Sequence, residues 1–271
     1  MLLNQQEIMK RLNNRSLKTL IEFFSLSILF LLPIIHNSRN TSASEEKNIQ
    51  PINKKTDKAL TQFMFNEEST DIDSFLNRHQ KRYNFQGNIL VGHKGHIIYK
   101  QAFGYANPNT KTELDEHSVF QLASVSKQFT ATAIMLLQQK GFLSYEDTVQ
   151  QYISDFPYQG ITIKMLLNHT SGLPNYMWLL EHRWDKDRIP DNDDVLKLLS
   201  KENFNLYFNP GTRFNYSNTG YVILALIIER LSGIAYSEFL DEYIFSPLGM
   251  NNSFVYSPAI HDTSHNTVSG Y

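Results

Sequence analysis

Phe120-Gln121-Leu122-Ala123-Ser124-Val125-Ser126-Lys127 carries a hydroxyl and an amine, those of Ser124 and Lys127, three residues apart. On a helix that spacing puts both on one face in neighbouring turns, so the two side chains can touch. A serine hydroxyl is a poor nucleophile until its proton is removed, and a lysine whose pKa is lowered by burial or nearby positive charge can remove it. From Ser124 to Lys140 the residues Phe129, Ala133, Leu136 and Leu137 recur at helical spacing and Gly141 supplies a stop, so the pair stands at a helix start. There, free backbone N–H groups and the positive dipole end favour the negative charge that develops when a serine attacks a carbonyl. The spacing alone is cheap, since Ser44-Glu45-Glu46-Lys47 has it too.

Downstream, Ile163 to Leu167 leads into the turn-rich loop Asn168-His169-Thr170-Ser171-Gly172-Leu173-Pro174, and the polar stretch from Glu181 to Asp194 reads as an exposed excursion before helical pattern resumes at Val195. Asn209-Pro210-Gly211 is a turn. Thr219 to Leu231 is a strongly apolar helix with Gly233 as its C-cap, and a shorter helix runs through Phe239 and Tyr243. Between the turn and the apolar helix lies Tyr216-Ser217-Asn218; if that loop is extended, alternation points Tyr216 and Asn218 the same way. A phenol beside an ammonium can hold a lowered pKa and shuttle a proton, while an asparagine amide can bind a substrate carbonyl. The triplet by itself says little, because Tyr105-Ala106-Asn107 matches it and Tyr216 could equally be a half-buried aromatic with a satisfied hydroxyl.

Upstream, Ile72, Phe75, Leu76 and His79 mark one face of a helix capped by Asp71 or Asp73. Asn88-Ile89-Leu90-Val91 and Ile97-Ile98-Tyr99 are strand-like and flank His93-Lys94-Gly95-His96, whose Lys-Gly pair suits a tight hairpin turn.

The ordered combination is far more specific than any one motif. The Ser124–Lys127 segment is followed by Leu166-Leu167-Asn168-His169-Thr170-Ser171-Gly172-Leu173-Pro174, then Phe208-Asn209-Pro210-Gly211 with Phe214-Asn215-Tyr216-Ser217-Asn218-Thr219-Gly220-Tyr221, then Pro247-Leu248-Gly249-Met250. Over roughly Ile72 to the end, this resembles the beta-lactamase-related serine hydrolases of the class C type, a group with penicillin-binding proteins, D-alanyl-D-alanine carboxypeptidases, esterases and D-amino-acid peptidases. The resemblance implies an α+β fold in which an antiparallel sheet is flanked by helices that carry Ser124 and Tyr216. It also implies roles: Ser124 forms the acyl-enzyme, Lys127 and Tyr216 share proton transfer, and Asn218 holds the substrate's amide carbonyl. The loop after Pro174, with Asn175 and Tyr176, would line the side-chain pocket, and His169 is read as structural rather than as a general base. The family carries a third element downstream, a strand bearing His-x-Gly or Lys-Thr-Gly, which does not occur between Tyr216 and Tyr271; His93-Lys94-Gly95 lies upstream in the hairpin turn and is no substitute. A family domain cut short at its C-terminus is therefore expected.

Composition is compatible with that reading and narrows it. Lysine plus arginine (25) nearly balances aspartate plus glutamate (27), which gives no field to recruit nucleic acid. The absence of cysteine excludes thiolate nucleophiles and cysteine-ligated metals, and the nine histidines include no His-x-x-x-His pair with a carboxylate, so neither metal nor cofactor is expected. Lys10, Arg11, Arg15 and Lys18 precede an apolar run from Phe23 to Leu32, the layout of a signal peptide or membrane anchor over residues 1–36, and residues 37–70 read as a polar linker. Residues 71–271 form the family domain. The expectation is an extracytoplasmic, membrane-anchored or secreted serine hydrolase acting on a small-molecule or peptide amide, lactam or ester. The alternative from another class is a non-catalytic binding or sensor module, favoured by the membrane-like segment and the missing third motif.

Overall fold

The structure is a computed structural model and describes residues 70–185, 188–202, 204–257 and 268. The segments read as signal or anchor and as linker lie outside them; among the described residues no helix is long and apolar enough to cross a membrane. The described chain divides into two compact units, one within Leu122–Tyr256 and one formed by residues 70–121 with 257 and 268.

The smaller unit opens with helix α1 (residues 70–83), followed by the antiparallel pair β1 (Gly87–His93) and β2 (His96–Phe103). Lys94 and Gly95 take φ 48° and 79°, the left-handed pair that lets a two-residue turn follow the strands' twist. Tyr99 and Phe103, four apart on β2 and hence on one face, are buried, and the Tyr99 hydroxyl lies 3.2 Å from an oxygen of Asp73. Asp71 and Asp73, expected from sequence to cap α1, both lie inside it, and Asp73 is turned to the hairpin. A second pair, β3 (Tyr105–Asn107) and β4 (Thr112–Glu113), completes the unit, and the Asn88 amide ties β1 to the chain after β4 by donating to the Asp115 carbonyl at 2.7 Å.

The larger unit is helical: α2 (Lys127–Gln139), α3 (Ile163–Leu167), α4 (Tyr176–Arg183), α5 (Asn192–Glu202), α6 (Asn218–Ser232) and α7 (Tyr236–Leu240), which runs on as irregular helix to Leu248. The apolar run of α6 makes it central. Ile223, Leu224, Leu226, Ile227 and Ile228 are fully buried, so the helix has no solvent stripe at that level, and it packs on α2, α3, α5 and α7. Each such side chain contributes roughly 1.5–3 kcal/mol of burial. Gly233 ends α6 in the left-handed conformation at φ 77°, as its position suggests.

The excursion expected to be exposed through Asp194 is corrected at its end. Asp194 is buried at the start of α5 and accepts both guanidinium nitrogens of Arg188, at 2.6 and 2.7 Å, plus the backbone N–H of Asp191 at 3.0 Å. Arg188 holds its carboxyl well below the usual carboxylate range. A carboxylate taken out of water needs such a complete set of donors, and charge counts along the chain do not reveal one.

Candidate active site

Ser124 sits in a single 3-10 turn, Ala123–Ser126, that runs directly into α2. With three residues per turn, positions i and i+3 eclipse, so Lys127 is brought over Ser124: Nζ stands 3.2 Å from Oγ. Ala123, just before the serine, is held at φ 46°, a left-handed conformation that costs a non-glycine residue energy and is kept where its surroundings enforce it. Within the turn the Val125 N–H donates to the Leu122 carbonyl at 3.0 Å and the Lys127 N–H to the Ser124 carbonyl.

Tyr216 and Asn218 arrive from the start of α6. Ser217 between them is extended (φ −127°, ψ 117°), which returns the flanking side chains to one side. The Ser217 hydroxyl turns inward and caps α6 by accepting the Gly220 N–H at 3.2 Å. Lys127 Nζ donates to Asn218 Oδ1 at 2.8 Å and lies 5.0 Å from the centre of the Tyr216 ring and 5.5 Å from that of Tyr221. Its partners are thus a hydroxyl, an amide oxygen and two aromatic faces, none of them a carboxylate.

The loop at His169 braces this arrangement. His169, Thr170 and Gly172 give their carbonyls to the N–H groups of Asn215, Gly211 and Tyr207, at 2.9, 2.8 and 2.8 Å, so two irregular segments are zipped together. Gly172 takes φ +74°, and a Cβ there would meet the Phe208 carbonyl oxygen at 2.4 Å. His169 Nδ1 accepts the Ser217 N–H at 3.1 Å, which leaves the ring proton on Nε2, and the imidazole lies 4.5 Å from the Tyr216 ring and 5.3 Å from that of Tyr221.

Charge is distributed accordingly. The nearby Lys127 ammonium, and after it the Ser124 hydroxyl, hold Tyr216 below the ordinary tyrosine value. Burial, and then the Lys127 charge, lower His169 against the opposing effect of its bond to Ser217. Burial raises Tyr221, whose hydroxyl donates to the Leu167 carbonyl at 3.2 Å. The same residue type is therefore tuned in opposite directions within one cluster.

Ser124, Lys127, Tyr216 and Asn218 are thus brought together, as the resemblance implies. Asn175 and Tyr176, the residues expected to line the side-chain pocket, stand at the start of α4. The Asn175 amide oxygen caps α4 by accepting the Met177 N–H at 3.1 Å, and the Tyr176 ring packs on the core while its N–H donates to Thr219 Oγ1 at 2.9 Å. The residue of this loop that reaches Asn218 is Met177, whose sulfur accepts the amide Nδ2–H at 3.4 Å. Sequence reasoning missed Met177 and Tyr221. The latter was findable, being three residues after Asn218 on one helix face; nothing local marks the former. A separate cavity of about 380 Å3, lined by Pro157 to Gln159 and by residues of 204–209, contains none of these side chains.

Comparison with known proteins places the arrangement. The family model described as Beta-lactamase matches residues 72–269. Penicillin-binding protein 4* of Bacillus subtilis (strain 168) is 48% identical over 177 residues, 65% of this chain and 39% of that protein. The putative penicillin-binding protein PbpX of the same organism is 30% identical over 190 residues, 70% of this chain and 46% of that one. The chain therefore spans less than half the length of these two curated relatives. A crystal structure of a penicillin-binding protein from Bacillus halodurans superposes with a TM-score of 0.64 at 28% identity, over 72% of this chain and 60% of that one. The α+β reading agrees with that likeness. With its family match running from the first helix across every element that builds this cluster, the chain belongs to the beta-lactamase family.

Proposed function

We propose that this chain carries the nucleophilic centre of an exported serine hydrolase that works through an acyl-enzyme on an amide, lactam or ester. The observation that carries the reading is the 3.2 Å approach of Lys127 Nζ to Ser124 Oγ at a helix start, with the Tyr216 ring 5.0 Å from that Nζ. Ser124 Oγ attacks the carbonyl carbon, and Lys127, as free amine, takes the hydroxyl proton. The carbonyl π pair moves to oxygen, where the backbone N–H of Ser124 would receive part of the charge. Collapse of that adduct breaks the bond to the leaving group, which takes a proton through Tyr216. Water then repeats the sequence on the ester, restoring Ser124. Asn218 would present its Nδ2–H to a substrate carbonyl, and His169 orients Ser217 without exchanging protons with substrate.

Two relatives carry the words penicillin-binding in their names, which makes a β-lactam the first substrate class to try. Export rests on the basic flank and apolar run before residue 37. A fluorescent penicillin and a fluorophosphonate probe test the reading together. Covalent labelling of wild type at Ser124, lost in Ser124→Ala, is the expected result. Ligand binding without a covalent adduct, unchanged in Ser124→Ala, would replace it with that of a binding module.

A further inference from the structure

We infer that Met177 is a positioning residue of this site: its thioether holds the Asn218 carboxamide in the orientation that keeps the amide oxygen, and not the NH2 group, against Lys127. A carboxamide is nearly symmetric in shape, so only its partners decide which end points where. Here one end meets the Lys127 amine at 2.8 Å and the other donates to Met177 Sδ at 3.4 Å. A protonated lysine, a pure donor, enforces that choice unaided. A neutral lysine does not: its lone pair would accept an amide N–H just as well. In that state a flipped Asn218 would occupy the lone pair that must take the Ser124 proton. A sulfur that can only accept, on the far side of the amide, favours the unflipped form in both protonation states.

The backbone that carries Met177 is fixed, while its side chain is about half exposed. Its N–H is fixed by the Asn175 oxygen at 3.1 Å, and the preceding N–H, of Tyr176, donates to Thr219 Oγ1 at 2.9 Å. Thr219, fully buried and next in sequence to Asn218, donates in turn to the Pro174 carbonyl at 2.6 Å. The start of α4 is thereby tied to the start of α6 at the residue beside the amide. The other groups facing Lys127, namely Ser124, Tyr216 and Tyr221, leave the amide NH2 end untouched. The consequence for acylation rests on the hydrolase reading; the positioning does not.

The test uses the full chain with 13C-methyl methionine and 15N-asparagine, resonances being assigned by Met177→Leu and Asn218→Asp. A nuclear Overhauser contact between the Met177 methyl and the Asn218 side-chain amide is expected. Solvent exchange of that amide should quicken by about 3- to 10-fold in Met177→Leu, the scale of one modest hydrogen bond. The acylation rate constant should fall by about the same factor with initial binding little changed, and Met177→Gln, whose amide oxygen can accept the same proton, should restore it. An unchanged exchange rate in Met177→Leu overturns the inference. Exchange that responds in a chain that never labels would leave the positioning standing and remove the hydrolase reading instead.

Discussion

Lys127 Nζ is closer to Asn218 Oδ1, at 2.8 Å, than to Ser124 Oγ, at 3.2 Å, although Asn218 lies 91 residues away in the chain. In the proposed mechanism the lysine gives up this charge-assisted contact when it accepts the serine proton.

Lys127→Ala should abolish acylation while leaving the fold intact. The side chain is half-buried among polar and aromatic groups and belongs to no part of the apolar core. A loss of about 10²-fold or more, the scale of general-base catalysis, is expected with an unchanged thermal midpoint. Probe-labelling kinetics and a circular-dichroism melt give both quantities, and comparable acylation in the variant would refute the role.

Tyr216→Phe should slow turnover by about 10²-fold or more. The ring stays half-exposed against Lys127, so the loss would come from the missing oxygen. Because Lys127 and Ser124 favour the phenolate, the earliest phenolate absorbance in an alkaline titration should belong to Tyr216. That phase should vanish in Tyr216→Phe and move to higher pH in Lys127→Ala. An unchanged rate would reduce Tyr216 to packing.

His169 should make the fold acid-sensitive. Its folded pKa lies below the unfolded value of 6.5, so in the interval between them the unfolded chain binds more protons. Its contribution is present above the unfolded pKa and is lost as pH falls through the folded one. Protonation would also set an Nδ1–H against the Ser217 N–H. Urea unfolding between about pH 7.5 and about pH 5 should show wild type losing stability that His169→Gln, which keeps an acceptor without titrating there, does not lose. Parallel curves would contradict this.

Gly172→Ala should destabilise the site loop by roughly 2 kcal/mol or more, since a side chain there is strained at φ +74° and its Cβ would press on backbone rather than on a yielding side chain. Denaturant melts measure the cost. Acylation should fall as well, because the displaced Phe208 segment belongs to the zipper that holds His169 and Ser217. A change within about 0.5 kcal/mol would show that the loop relaxes freely.

The elements of this protein were legible wherever local pattern and burial agree. The hairpin at Lys94-Gly95, the helix after Ser124 and the apolar helix ended by Gly233 follow from turn chemistry and from periodicities of two and of about 3.6 residues, which act within a few positions. Ser124 with Lys127, and Tyr216 with Asn218, could each be placed on one side by the same short-range geometry. The meeting of those pairs is a different matter. It requires α6 to lie buried against α2 and α3, and the His169 loop to be zipped to residues 207–215 by backbone groups that every sequence possesses. For the same reason Asp194 is buried on an arginine six residues before it, Asn175 is spent on a helix cap, and Met177, a residue with no motif of its own, touches the amide. Chain-local steric preferences decide which helices and turns exist; which side chains then share a partner is decided by packing that no local preference encodes.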